Sequence, residues 1–271
     1  MTDTLRIIPL GGVGEVGKNI TVVEAAGEIL VVDCGLAFPE PEMLGIDLVI
    51  PDATYLAENR ERVRAILITH GHEDHTGALP YVLPLLPGVP IYATRLTVGL
   101  VTGKLKEHKL LDSTPIRTVE PGQAFRVGAS SVTGFRVNHS IPDGIGYIIR
   151  TPAGTVVHTG DFKIDLTPPD GRRADLGLLA DVGTSGVDFL LSDSTRAEKE
   201  GYTLSERTVG ESLTQLIGDA PGRVIVATFA SNIGRVQQVL DAAAAFGRRM
   251  VVLGRSMEQN TSIALDLGYL T

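Results

Sequence analysis

Residues 64–75 read RAILITHGHEDH, and the rest of the chain is organised around this stretch. Its first half is a short apolar run of strand character. Its second half places three histidines and an aspartate within six residues. Imidazole nitrogens and carboxylate oxygens are ligands suited to zinc or manganese. In a turn at a strand end alternate residues point to one side, so His70 and His72 can share one ion. Asp74 and His75, entering the next helix, can reach a second. Without a metal, such clustering brings no packing gain and some charge cost.

Outward from this turn, short strands follow one another between glycine turns. Leu5–Leu10, Ile20–Glu24 and Glu28–Asp33 are β-rich upstream, and 90–93, 132–138, 145–151 and 155–159 downstream. Residues 95–108 carry helical spacing. Asp33, His139 and Asp161 each close or follow an apolar strand, which brings them to the rim where His70 and His72 lie. The texture changes near residue 200. Thr203 with Glu206 forms a capping box, followed by a helical stripe of Val209, Leu213, Leu216 and Ile217. Arg223–Phe229 and Arg249–Gly254 read as buried strands, separated by a helix with Ile233, Val236, Val239, Leu240, Ala243 and Phe246 on one face. Ser231 and Asn232 cap that helix, and Ser256 with Gln259 caps another. Strand–helix alternation implies a parallel sheet. We expect residues 1–200 to form one domain and 201–271 the beginning of a second, α/β one.

Gly12–Gly17 matches G-x-G-x-x-G after a strand, and Asp33 lies where a ribose-binding acid would be. The motif needs a helix after its last glycine to hold the pyrophosphate. Residues 18–33, KNITVVEAAGEILVVD, instead read as strand and hairpin, so no nucleotide cofactor is expected.

Composition sets outer bounds. With 271 residues and 43% hydrophobic content, the chain can bury a real core and is neither disordered nor fibrous. One cysteine, Cys34, permits no internal disulfide and no thiolate zinc finger. It reads as a small buried apolar residue. The opening MTDTLRIIPLGG lacks a charged leader before a long apolar run, and no apolar run reaches membrane-spanning length. A cytoplasmic protein without a membrane partner is expected. A formal net charge of −8 argues against a broadly basic nucleic-acid coat, although two divalent ions would concentrate positive field where a phosphate binds. Arg172-Arg173 and Arg248-Arg249 are candidates for contacts to a phosphate backbone, with a simply solvated pair as the plainer reading.

The strings GGVGEVGKN, DCGLAFPEPEMLGIDLVIPD, THGHEDHTGALPY, HSIPDGIGYII, VHTGDFK, LLSDSTRAE, TFASN and GRSME together resemble the metallo-β-lactamase superfamily and, within it, the β-CASP ribonucleases of the ribonuclease J type. The resemblance runs from about Leu5 to the last residue. It implies an α/β fold: a metallo-β-lactamase αββα sandwich followed by the beginning of a β-CASP α/β domain. It also implies a metal-dependent ribonuclease, with endonuclease and 5′-to-3′ exonuclease activity in RNA decay and maturation, acting on 5′-monophosphorylated RNA by metal-activated water. The implied cofactors are two divalent ions, zinc or manganese, with an additional structural calcium in some relatives. The implied partners are RNA and, in the complete protein, further copies of the chain.

Residue by residue, His70, His72 and His139 resemble the ligands of one ion, Asp74 and His75 those of the other, and Asp161 the carboxylate that bridges them. Asp33 resembles a carboxylate that orients a ligand histidine. Asp193, in LLSDST, matches an acidic motif and is the candidate for protonating the leaving group; a turn-capping role is its plainer reading. Leu44 and Ile46 match positions whose backbone carbonyls bind the structural cation. The family places a further metal histidine and a phosphate-recognising histidine motif later in the chain. Here no histidine follows His158, and Gly234 stands where a histidine is common. We therefore expect an N-terminal part of such a protein. A small-molecule metallohydrolase on the same core, or a non-catalytic module binding RNA or a partner, are the alternatives.

Overall fold

The computed structural model describes residues 4–271, so the first three residues of the opening stretch lie outside it. Eleven strands form two sheets among the described residues. The first sheet runs in chain order: β1 (Arg6–Gly11), β2 (Ile20–Ala25), β3 (Glu28–Val32), β4 (Val63–Leu67), β5 (Ile91–Ala93) and β6 (Ile116–Thr118). The second contains β7 (Ala124–Val127), β8 (Ser130–Arg136), β9 (Ile145–Thr151), β10 (Gly154–His158) and β11 (Phe189–Leu191), in the order 11-10-9-8-7. Between these lie α1 (Thr54–Glu58), α2 (Glu73–Thr76), α3 (Leu79–Val82), α4 (Arg95–Glu107) and α5 (Leu176–Ser185). Three helices follow: α6 (Glu206–Asp219), α7 (Ile233–Ala245) and α8 (Arg255–Asp266).

The period of two along the central strands builds a four-layer stack. In β3 and β4, Leu30, Val32, Ala65 and Leu67 face the second sheet and meet Val132, Ile145, Tyr147 and Ile149. Their sequence neighbours Ile29, Val31 and Ile66 face the other way, onto Leu79, Val82, Val101 and Leu105 of the helical layer. On the far face of the second sheet, Phe135, Ile148 and Val157 pack against Val182 of α5. Both faces of β3 and β4 are covered, which is why these strands read as unbroken apolar runs. The architecture is the expected αββα sandwich.

Parallel pairing of β3 with β4 and β4 with β5 lines up their C-terminal ends, with Asp33 just past β3 and Thr69–His75 just past β4. The Thr69 carbonyl accepts from Ile145 N–H (3.0 Å), stitching that end of β4 to the second sheet. The next loop carries His139, and its neighbour Asn138 pairs with Lys163, just past Asp161. Three ligand-bearing turns thus meet at one rim, where open α/β sheets place their sites.

Beyond residue 200 the helices agree with the sequence reading better than the strands do. Residues 223–229 and 249–254 were expected to be buried parallel strands. They make no ladder bonds among the described residues, and Ile225 (88% exposed), Phe229 (82%) and Leu253 (80%) face outward. A strand forms only where a neighbour satisfies its amides, and the described residues provide none here. The helix starts also differ. α6 is capped by Ser205, whose Oγ accepts from Arg207 N–H (3.2 Å), not by Thr203. α8 begins after Gly254 with no side-chain cap, not at Ser256. Asn232 does cap α7, accepting from Arg235 N–H (3.0 Å). Among the described residues, no helix is long and apolar enough to cross a membrane.

Candidate metal centre

Two groups of side chains converge at the rim. In the first, Nε2 of His70 lies 3.0 Å from Nδ1 of His72, which lies 3.2 Å from Nε2 of His139. In the second, Nε2 of His75 lies 3.3 Å from Oδ1 of Asp161 and 3.5 Å from Oδ2 of Asp74. Asp161 presents its other oxygen to the first group, 3.7 Å from His139 Nε2. The potential ligand atoms of His70, His72 and His139 lie within 4.8 Å of one another, as do those of His70, His75 and Asp161. The six residues named from the sequence therefore meet in one place, with Asp74 reaching it through His75.

His70 and His75 each have a partner that settles which nitrogen faces the centre. Asp33 is buried, with φ of +63°, a left-handed conformation that costs a non-glycine residue about 1 kcal/mol. That turn points its carboxylate back along β4. Oδ1 accepts from Thr69 N–H (2.8 Å), and Oδ2 accepts from Thr69 Oγ1 (2.9 Å) and His75 Nδ1 (2.8 Å). Since the Thr69 hydroxyl donates to Asp33, its lone pairs are left for Nδ1–H of His70, 3.0 Å away. One carboxylate thus orients two imidazoles, one directly and one through a threonine, and leaves both Nε2 atoms toward the centre. Across the centre, Ser140 Oγ lies 3.4 Å from Nε2 of His72. Thr69 and Ser140 went unmarked in the sequence because a hydroxyl beside a histidine has no recognisable spacing of its own.

The electrostatics separate the groups. Burial drives His70 well below the usual imidazole range, with the neighbouring histidines adding to the effect. Burial likewise lowers His139, and it pushes His72 down to about 4. These three rings present neutral lone pairs at neutral pH. Burial also opposes charge on His75, but the Asp33, Asp161 and Asp74 carboxylates outweigh it and hold that ring well above the usual range. Burial opposes ionisation of Asp161, yet His75 brings it to about 2. Three neutral nitrogens beside two ionised carboxylates and an imidazole form a donor set that fits divalent metal.

The half-buried ligands open into a cleft of about 620 Å³. Its near wall holds Phe38, His72, Asp74 and Lys104, and its far wall Phe229–Asn232 with Ser256, Gln259 and Asn260 of α8. A separate cleft of about 670 Å³, beside Ile164 and Leu176, contains none of the six residues. Asp193 sits at the edge of the centre with both oxygens engaged, Oδ1 by Thr195 N–H (2.8 Å) and Oδ2 by Phe162 N–H (3.3 Å). Leu44 and Ile46 lie on an exposed turn around Gly45. Arg248 binds the Gly222 and Ala220 carbonyls, so half of that basic pair is used internally. Nδ1 of His158 accepts from Gly160 N–H (3.1 Å) and shapes the turn before Asp161. Cys34 is fully buried, and burial raises its thiol far above the usual range, consistent with an inert packing residue.

Comparison with known proteins places these features in a lineage. Residues 29–226 match the family model described as Beta-lactamase superfamily domain, and residues 221–271 match Ribonuclease J, beta-CASP domain. The chain is similar to Ribonuclease J of Thermus thermophilus, 51% identical over 99% of this chain and 48% of that one. It is also similar to Ribonuclease J of Mycobacterium tuberculosis, 46% identical over 98% of this chain and 47% of that one. The chain thus spans about half the length of the curated relatives it matches. A crystal structure of an Enterococcus faecalis protein of unknown function shares the fold, with a TM-score of 0.69 at 16% identity over 98% of this chain and 68% of that one. The chain belongs to the metallo-β-lactamase superfamily, and its sequence corresponds to the N-terminal half of the ribonuclease J proteins, including the beginning of their β-CASP domain.

Proposed function

We propose that the protein bearing this chain is a metal-dependent ribonuclease and that the His/Asp centre is its catalytic site. The observation that carries the reading is the paired geometry: three neutral histidine nitrogens beside a His75–Asp74–Asp161 set, with Asp161 offering one oxygen to each. In this reading His70, His72 and His139 hold one ion, Asp74 and His75 another, and Asp161 bridges them. Nitrogen and carboxylate ligands favour zinc, with manganese as the other fitting ion. When bound, a pair of divalent ions supplies Lewis-acid charge at a scissile phosphodiester and activates water near neutral pH.

The protein's own groups hold and orient. Asp33 fixes His75, and through Thr69 it fixes His70. Asp193 clasps the turn that carries Asp161. With both its oxygens accepting backbone N–H groups, Asp193 is better suited to positioning Asp161 than to protonating a leaving group. Similarity to the ribonuclease J proteins supports RNA as substrate. A 5′-monophosphate end, endo- and exonucleolytic cutting and assembly into oligomers belong to the same proposal. So does a domain division near residue 200, supported by the change from paired strands to the helices α6–α8.

The test is cleavage of 5′-monophosphorylated RNA by the protein and by its His70→Ala/His72→Ala double variant at matched folding. We expect loss of cleavage to background in the variant. Undiminished cleavage would overturn the assignment of the site, and hydrolysis of a small ester but not RNA would overturn the substrate.

A further inference from the structure

The glycine-rich stretch Gly12–Gly17 matches a nucleotide motif that the strand β2 after it does not complete, and the metal centre described above makes no use of it. Its place in the fold gives it another role. Asn19, two residues past Gly17, lies against the second ligand group. Its Nδ2 donates to the Asp74 carbonyl (3.1 Å) and lies 3.4 Å from Asp74 Oδ2 and 3.2 Å from His75 Nε2. Its backbone is tied on both sides: Asn19 N–H donates to the Asp74 carbonyl (3.1 Å), and its own carbonyl accepts from Gly35 N–H (2.9 Å). The glycine turn closes over this amide. Gly12 has φ of +83°, and a Cβ there would collide with Oδ1 of Asn19. A side chain at Gly12 would displace the amide from the ligands it touches.

We propose that Asn19 is a positioning residue for the second metal group, and that Gly12 leaves the space in which its amide sits. Asp74 stands on a four-residue helical turn, half-buried, and its carboxylate can rotate. The amide approaches Oδ2, the oxygen that also faces His75 Nε2, so it holds the carboxylate with that oxygen toward the second group while bordering the ligand nitrogen of His75. The inference rests on the two-ion reading. Partners that orient metal ligands change metal affinity by about 10–100-fold.

The test is zinc binding to the full-length protein, read as stoichiometry and as two affinities by chelator competition, independent of any cleavage assay. In Asn19→Ala we expect an unchanged affinity at the three-histidine group and a loss of about 10–100-fold at the second. Gly12→Ala, which alters no polar group, should shift the second affinity in the same direction. Retained binding at the three-histidine group in the same sample reports that the variant is folded. An unchanged second affinity in Asn19→Ala, or equal losses at both groups, would overturn the role of Asn19 while leaving the two-ion reading in place. A wild type that binds a single ion would overturn the two-ion reading itself, and this inference with it.

Discussion

Asp33 combines three roles: it adopts a left-handed backbone, accepts three hydrogen bonds and sets the protonation of a ring that faces the metal group. A pH dependence follows. His75 has its pKa raised by the Asp33, Asp161 and Asp74 carboxylates, so it stays protonated above the ordinary histidine range, and an ion must displace that proton. Affinity at the second group should therefore rise by about tenfold per pH unit until the raised value of His75 is passed. His70, His72 and His139 are shifted downward, so fewer protons have to be displaced from them, and affinity at their group should depend less steeply on pH than at the second group. Zinc titrations at pH 6, 7 and 8 decide; equal slopes at both groups would contradict the electrostatics. At this scale the 70–75 cluster was legible as metal-binding chemistry from spacing, whereas His139 and Asp161, each ordinary turn residues on their own, joined it through the family resemblance. Thr69 and Asn19 were not legible, because their roles depend on Asp33 and Asp74, 36 and 55 residues away in sequence.

Among the elements, α6 shows how tertiary partners overrule a local motif. Thr203 and Glu206 have capping-box spacing, yet Asp165 Oδ2 accepts from both Glu206 N–H (3.1 Å) and Ser205 Oγ (3.0 Å). The Glu206 carboxylate turns to Lys163 (2.7 Å) and Arg235 (2.9 Å) instead of back to a cap. Four residues apart on α4, Gly99 and Gly103 let α8 approach closely, and a Cβ at Gly99 would lie 2.9 Å from methyls of both Ile263 and Leu267. Gly99→Ala sets about 1 kcal/mol of helix propensity against a contact that flexible methyls can relieve, so it should be close to neutral. Gly99→Leu has no such relief and should cost about 1–3 kcal/mol by overpacking. Hydrogen exchange of the α8 amides should accelerate in the leucine variant; unchanged exchange would show that the seam does not hold α8.

At the scale of the molecule, the sandwich buries its apolar residues while the two apolar segments after residue 220 do not. Val251 (77% exposed) joins Ile225, Phe229 and Leu253 in presenting apolar side chains and unpaired backbone to water, a surface prone to association. The 271-residue chain on its own should therefore associate with rising concentration, and Ile225→Lys with Leu253→Lys should suppress this in sedimentation analysis. Concentration-independent monomers of the unmodified chain would contradict it. The net charge of −8 is likewise a poor guide to the cleft, where local ligands set the field. The alternation of apolar residues and the donor chemistry of RAILITHGHEDH determined by themselves the strands, the rim and the metal character, because pleat period and ligand type are local properties. Only the tertiary structure decided which nitrogen of His70 and His75 faces the centre, that one carboxylate orients two histidines, and that Asn19 lies against the second group. Hydrogen-bond direction and strand pairing depend on what packing brings alongside, and no local pattern carries that information.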